Sequence, residues 1–346
     1  MVGQGFTRPR RALVLRFGAI GDVFLATPVV RCLQAAYPEL IIDFVVKDQF
    51  ASIVRYHPEI NQVWTLPDHA AFGDLKALSA QLNQIGYDWI IDLQSGWKSF
   101  ILCLLVHGAR IDRFSPERFK RFLLVHFRIN FYGHVRSVIE KYFRGIRSWK
   151  IQDDGKGPEF FIDKVSQHKT DDWLKQHDVR LDKRIAVIAP GAGRATKRWL
   201  PEGFASVGDW LEERGYQIVL TGSESEKGIC ASVASKMIRP KVDACGVFSI
   251  IETGAMLDKA EIVITNDTGL MHMASALNKK IVAIFGPTTR EFGFFPLRAE
   301  ARVVESPVGC RPCSYHGSET CPKKHFRCMQ EISPDQVIKA VQQLEG

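Results

Sequence analysis

A chain of 346 residues, 46% of them hydrophobic, is long enough for two cores and too long for one, so two domains are expected. Its longest apolar run, FILCLLV at residues 100–106, falls well short of the roughly 18 residues of a membrane span, and Arg16 and Asp22 interrupt the apolar stretch near the start in a way that argues against a signal peptide. The formal net charge of +8 is concentrated between Arg110 and Lys150, where eleven Lys or Arg stand against the acids Asp112, Glu117 and Glu140.

The strand-like runs come in chain order. ALVLRF at 12–17 runs into the turn GAIGD, where Gly18 and Gly21 allow close backbone approach and Asp22 stands near a helix start. IIDFVV, QVWTL and WIIDLQ follow, each closed by polar or turn residues and separated by amphipathic helical stretches. The basic segment comes next; its RFKRFLLVHFRINFYGHVRSVIEKYF interleaves cations with aromatics. Such a segment suits an anionic partner, a membrane leaflet or a phosphorylated substrate, because each Lys or Arg near a charged surface is worth about 1 kcal/mol. A solvated helix face over an apolar underside is the other reading. No nucleic-acid module is recognisable, and none is expected as a partner.

Polar, glycine-rich SWKIQDDGKGPEFFID at 148–163 reads as a linker. Beyond it RIAVIAP, YQIVLTG, EIVITND and KIVAIFG repeat the strand-then-helix alternation. That alternation predicts an α/β protein of two Rossmann-like, doubly wound parallel-sheet domains, residues 1–165 and 166–332. A last helix over 333–346 has Ser333 as N-cap, Pro334 at its first position and Gln336 at the capping-box position. Its stripe of Val337, Ile338, Val341 and Leu344 must dock somewhere, and a return across the first domain is the expectation.

Doubly wound sheets bind ligands beyond the carboxyl ends of their strands, so the loops there are the candidate sites. GAIGD is not the dinucleotide fingerprint, and Asp22 alone is equally a helix cap worth about 1 kcal/mol. APGAGRATKRW offers backbone N–H groups at Gly191, Ala192 and Gly193, the hydroxyl of Thr196 and the point charge of Lys197, a phosphate-binding set that lacks the G-K-[ST] of a P-loop. TGSESEKG carries Glu224 and Glu226, suited either to ribose hydroxyls or to a helix first turn. ITNDTGLMHMASAL sets Asp267, Thr268 and Gly269 at a helix start, a diphosphate cradle, with His272 one turn in; a histidine there is also commonly a satisfied core residue. Gly286, Pro287 and Thr288 end the next strand and can wall a nucleobase.

Four of the eight cysteines, Cys32, Cys103, Cys230 and Cys245, lie in apolar settings and read as inert core residues. Cys310, Cys313, Cys321 and Cys328 are spaced C-x2-C-x7-C-x6-C and form a candidate structural zinc site, with His316 and His325 as substitute ligands; a labile disulfide or free thiols are the alternatives.

Taken in order, GAIGDVFLATPVV, PGAGRATKRWLPEGF, TGSESE, NDTGLMHMASAL and FGPTTRE resemble glycosyltransferase family 9, the ADP-heptose:lipopolysaccharide heptosyltransferases. The resemblance implies a GT-B fold whose two domains face a cleft, the first for acceptor and the second for nucleotide sugar. It implies an inverting, metal-independent glycosyltransferase that moves heptose or a related sugar from an ADP-sugar to a hydroxyl of the lipopolysaccharide core and needs no cofactor. It also implies Asp22 as base and Lys197 on donor phosphate. Gly21, Gly191, Ala192, Gly193 and Thr196 would help hold the donor, with Glu226 at the ribose, Asp267, Thr268, Gly269 and His272 at the diphosphate and sugar, and Gly286, Pro287 and Thr288 at the base. Ala192 and Gly193 depart from members with threonines there, so any contact at those positions would come from the backbone. The expected setting is a cytoplasmic monomer peripheral on the inner face of the inner membrane, acting on an anionic lipid-linked oligosaccharide. A 2-epimerase of the same fold, or a non-catalytic nucleotide-sugar binder, are the alternatives.

Overall fold

The computed structural model describes residues 8–297 and 299–346. Strands β1 (Arg11–Leu15), β2 (Ile41–Lys47), β3 (Gln62–Leu66), β4 (Trp89–Asp92) and β5 (Arg110–Arg113) form a parallel sheet in the order β3-β2-β1-β4-β5. Strands β6 (Ile185–Ala189), β7 (Gln217–Leu220), β8 (Val242–Asp243), β9 (Ile262–Asn266), β10 (Lys280–Phe285) and β11 (Ala301–Glu305) form a second, in the order β11-β10-β9-β6-β7-β8. In each sheet the first strand in sequence lies inside, and the chain winds outward to one side and then the other. Strand order therefore reverses between β1 and β4, and again between β6 and β9, the switch points at which doubly wound folds hold ligands. The two doubly wound parallel sheets expected from the sequence are both present.

The physical reason is the composition of the central runs. β6 and β9 are buried at every position and β1 at all but its first, as Val- and Ile-rich parallel strands covered on both faces must be. Around β1 and β4, Leu13, Leu15 and Ile90 meet Leu75, Leu78 and Leu82 of the helix Phe72–Ile85. Around β6, Ile188, Ile218, Ile264 and Ile284 meet Phe204, Val207 and Leu211 of the helix Pro201–Glu212.

The chain divides into two compact units, one comprising the residues up to Pro116 with Ile139–Lys156, the other Glu117–Val138 with Gly157–Gly346. The last boundary between the units thus falls within the linker sequence, after Lys156, and the middle of the basic segment belongs to the second unit. In the first unit the linker sequence is anchored by Asp154, whose two carboxylate oxygens each accept from Arg31 at 2.8 Å. The last helix, Pro334–Glu345, is capped by Ser333 and Gln336 as expected. Its docking differs from the expected return across the first domain: Val337, Val341 and Leu344 are buried in the core of the second sheet, beside β10 and its neighbouring edge strand β11.

The basic segment does not form one amphipathic face. It supplies β5, the helices Arg118–Phe127 and Val138–Gly145, and the loop between them. Several of its cations bind the protein itself: Arg113 pairs with buried Asp92 at 2.7 Å, Arg121 lies 3.8 Å from the Tyr315 ring centroid, and Arg128 donates to the Cys310 carbonyl at 2.6 Å. Its aromatics remain outside, with Phe119 72% and Phe131 59% exposed and Phe122 and Phe127 similarly bare.

Candidate functional site

In the second unit the register places Ala189 beside Thr265 and Asn266 beside Ile284, which sets the loops after β6, β9 and β10 next to one another at the switch point. Asn266 joins two of them. Its Nδ2 donates to the carbonyls of Pro190 (2.8 Å) and Gly191 (3.1 Å), and its Oδ1 accepts from the Trp199 amide at 3.1 Å. Trp199 is itself fully buried, with its ring edge-to-face on Phe204 at 5.0 Å and its indole N–H on the Ile332 carbonyl. Gly203 makes this possible, because a Cβ there would sit 2.3 Å from the indole. The turn Ala195–Lys197 is thereby held from both ends.

Lys197 Nζ lies 2.8 Å from Asp267 Oδ2, and the same oxygen accepts from Thr288 Oγ1 at 2.7 Å. Two residues proposed from separate strand ends converge on the carboxylate of a third. Asp267 is 5% exposed and its Oδ2 is engaged by both Lys197 and Thr288, so it orients those side chains; a carboxylate in that role would repel a diphosphate rather than grip it. Next to it, Thr268 begins the helix Gly269–Ala276 and makes no side-chain cap, its hydroxyl instead approaching Thr265 Oγ1 at 3.4 Å. The first N–H groups of that helix are therefore open to an anion at the positive end of its dipole.

Glu226 sits across the same loop. Its Oε2 accepts from the amide (2.8 Å) and hydroxyl (2.9 Å) of Ser223, closing a capping box, while Oε1 makes no hydrogen bond among the described residues. Oε1 faces Gly191, where a Cβ would lie 2.2 Å away. Gly193 has open space around it and Ala192 is buried, its carbonyl accepting from Arg198 at 2.9 Å. His272 is buried, edge-to-face with Phe294 at 6.2 Å.

Other predicted donor residues serve the segment that follows β11. Thr196 exchanges hydrogen bonds with Ser318, donating to its carbonyl at 2.7 Å and accepting from its amide at 2.8 Å. The Pro287 carbonyl accepts from the Cys313 amide at 3.0 Å, and Gly286 gives way to the Met329 thioether. Gly317 lies against the Lys197 stem, and Glu319 pairs with Arg194 at 2.8 Å. Residues 310–321 are thus a strap that fixes the loops of β6 and β10, a role not visible in the cysteine spacing.

The cysteines of the expected zinc site begin on that strap. Cys310 Sγ is 3.7 Å from His325 Nε2 and Cys313 Sγ points to the Cys310 carbonyl at 3.2 Å. Among the described residues, however, no three of these thiols, imidazoles or nearby carboxylates bring ligand atoms within 4.8 Å of one another. A tetrahedral thiolate site needs sulfurs roughly 3.8 Å apart; the Cys313 thiol lies beside that of Cys310, and Cys328 interacts electrostatically with Cys310 and Cys321. Burial pushes Cys313 and Cys328 up to about 11.

In the first unit, Asp22 is the third residue of the short helix Ile20–Phe24, in which Gly21 is buried. Its Oδ2 accepts from the Ala19 amide at 3.1 Å and pairs with Arg16 at 2.6 Å, so it is more closely tied to its own unit than the sequence suggested. Arg16 is 7% exposed and also donates to the Leu93 carbonyl at 2.7 Å, which fixes the guanidinium. Asp22 Oδ1 makes no hydrogen bond among the described residues. Beside this turn is a cavity of 390 Å³ lined by Phe17, Gly18, Ala19, Lys47, Phe50, Gln94, Gly96, Trp97 and Lys98. Gly18 has φ +154° and a Cβ there would lie 2.5 Å from the Phe50 ring. Buried Asp92 fixes the turn that supplies Gln94 and Gly96 to this lining, accepting from the amides of Gln94 and Ser95 and from the Ser99 hydroxyl. Lys47, Trp97 and Lys98 come from helix and strand ends without glycine-rich signals, and the sequence reading passed over them.

Two doubly wound sheets, the second carrying a fixed lysine and an open helix start at its switch point, define a nucleotide-sugar protein of the GT-B type. The sequence profile of glycosyltransferase family 9 (heptosyltransferase) matches residues 75–325, more than half of the chain, and the chain belongs to that family. It is 28% identical over 295 residues to lipopolysaccharide heptosyltransferase 3 of Escherichia coli K12, covering 79% of this chain and 81% of that one. It is 25% identical over 351 residues to lipopolysaccharide heptosyltransferase 2 of the same strain, covering 96% and 98%. Among solved structures, a family 9 glycosyl transferase of Veillonella parvula superposes with a TM-score of 0.83 at 22% identity, over 97% of each chain. The E. coli heptosyltransferase WaaC with ADP-2-deoxy-2-fluoro heptose gives 0.67 at 20% identity, over 96% of this chain and 99% of that one. At these identities the structures establish the fold.

Proposed function

We propose that this enzyme transfers heptose, with inversion, from ADP-heptose to a sugar hydroxyl of a lipopolysaccharide core acceptor. The observation that carries the reading is Lys197, oriented by Asp267, beside the uncapped helix start at Gly269, which together supply the positive charge that a diphosphate leaving group needs. The names of its heptosyltransferase relatives support heptose and lipopolysaccharide as the donor sugar and acceptor class.

In the reaction, Asp22 Oδ1 takes the proton of the acceptor hydroxyl as its oxygen forms a bond to the anomeric carbon. The bond from that carbon to the diphosphate oxygen breaks on the opposite face, and ADP leaves with the electron pair. Negative charge grows on the departing diphosphate, where Lys197 and the N–H groups of Gly269 and its neighbours are already oriented. That positive charge replaces what a divalent cation would supply, so the reaction proceeds without one. Glu226 Oε1 accepts the ribose hydroxyls. Arg16 holds Asp22 by the oxygen that does not react.

Among the described residues no helix is long and apolar enough to cross a membrane. The bare phenylalanines of residues 119–131, within a segment of eleven Lys or Arg between Arg110 and Lys150, support peripheral attachment to an anionic leaflet, where a lipid-linked acceptor would be met. The test is ADP release from ADP-heptose. Release that depends on core acceptor, together with a product heavier by one heptose, is expected; conversion of donor alone into a stereoisomer would turn the reading to an epimerase, and no turnover to a binder.

A further inference from the structure

Two cysteines that the sequence assigns to the apolar core meet outside the donor loops. Cys230 lies on the helix Lys227–Lys236 and Cys245 two residues beyond β8, and both are buried, at 0% and 5% exposure. Asp243, at the end of β8, is exposed. One ligand atom from each of the three, two sulfurs and a carboxylate oxygen, lies within 4.8 Å of the others. The surroundings are rich in electron pairs. The Thr221 carbonyl is 3.6 Å from Cys230 Sγ and the Ser223 carbonyl 3.4 Å from Cys245 Sγ. A Cβ at Gly222 would touch both Cys245 Sγ (3.0 Å) and Glu226 Oε2 (3.1 Å), so a further carboxylate borders the group. Asp243 forms no ion pair among the described residues, and neighbouring Lys227 is held by Glu224 at 2.8 Å.

We propose that Cys230, Cys245 and Asp243 bind a thiophilic divalent cation of the zinc type, entering from the exposed Asp243 side. Two sulfurs and one oxygen leave a fourth tetrahedral position for water, the common composition of a borderline-soft site. Asp243 Oδ1 accepts the Cys245 amide at 3.0 Å, which fixes the carboxylate and leaves Oδ2 for the metal. Binding displaces the two thiol protons to solvent, and the charge of the cation offsets that of the thiolates and the carboxylate. The ion joins the helix Lys227–Lys236 to the end of β8, and so clamps the 221–226 loop between them that carries Glu226. The proposal does not depend on the identity of the donor sugar.

The test is a cobalt titration of the reduced, chelator-treated full chain. A thiolate-to-cobalt charge-transfer band that saturates at one equivalent and is abolished by competing Zn²⁺ is expected. The band should be lost in Cys245→Ser, weakened in Asp243→Asn and retained in Cys313→Ser, with circular dichroism confirming the fold of each. Because Asp243 is exposed, Asp243→Asn keeps the test decisive if Cys245→Ser misfolds. Zn²⁺ should raise the melting temperature of the wild type and not of Cys245→Ser. No saturable band in the wild type, a band that Asp243→Asn leaves unchanged in affinity, or one that disappears in Cys313→Ser would overturn the assignment.

Discussion

Arg16 Nη2 lies 2.6 Å from Asp22 Oδ2, and the Ala19 amide adds a second contact to the same oxygen. An ion pair of this kind turns one carboxylate oxygen into an anchor and leaves the other to act. Asp22→Asn is therefore expected to lower kcat by about 10²- to 10⁴-fold, the usual contribution of a general base, while the donor KM stays nearly constant. Arg16→Lys keeps the charge but loses the fork that holds both Asp22 and the Leu93 carbonyl, so it should fall between wild type and Asp22→Asn. Steady-state kinetics in both substrates check this, and an undiminished kcat in Asp22→Asn removes the residue from the base role.

On the donor side, Lys197 interacts with phosphate in both the ground state and the transition state. Lys197→Ala should raise the donor KM as well as lower kcat, with kcat/KM down by about ten- to hundredfold for a lost charge-assisted hydrogen bond of roughly 1.5–3 kcal/mol. Asp267→Asn preserves an acceptor for Thr288 and removes the ion pair, so its loss should be smaller than that of Lys197→Ala. A larger loss would make Asp267 more than a positioning group. Measuring ADP affinity alongside turnover separates the two cases.

The strap makes a chemical prediction of its own. Although its slight burial pushes the Cys321 thiol up, the backbone amides of Phe326, Lys323, His325 and Lys324 hold it below its usual value, whereas Cys313 and Cys328 sit at about 11. The thiolate is the reacting species. Brief alkylation near neutral pH, followed by peptide mapping, should label Cys321 well before Cys313 or Cys328. Equal protection of all four would restore a shared metal at that segment.

These relationships explain what the sequence revealed and what it concealed. β1, β6 and β9 were legible because a strand covered on both faces must be a Val- and Ile-rich run, and β5, β8 and β11 were not because RIDR, VD and ARVVE lie at or near sheet edges and lack that requirement. Lys197, Asp267 and Thr288 could be proposed one at a time from strand-end chemistry; their meeting on a single oxygen depends on the β9-β10 register and on Asn266, which no local pattern encodes. Spacing shows only cysteines that are near in sequence, for the same reason. Cys230 and Cys245, fifteen apart, were brought together by a helix and a strand end. The docking of the last helix was equally invisible, since an apolar stripe states that it will be buried and not against what.

The linker sequence supplies a prediction about acid stability. Arg31 grips Asp154 through two hydrogen bonds and holds its carboxyl down to about 2, against burial that acts the other way, with the Lys156 amide assisting. A carboxylate whose folded value lies below its unfolded value of about 3.9 stabilises the fold above that pH, and the contribution disappears as pH falls through the folded value. Asp154 is partly exposed, 28% for its side chain, so solvent screening reduces the contribution to about 1–2 kcal/mol. Wild type should accordingly exceed Asp154→Asn in denaturant midpoint at pH 5 and above, with the gap closing between about pH 4 and pH 2. A gap that persists unchanged at pH 2 would mean that the pair stabilises through packing of the Arg31 stem and not through charge.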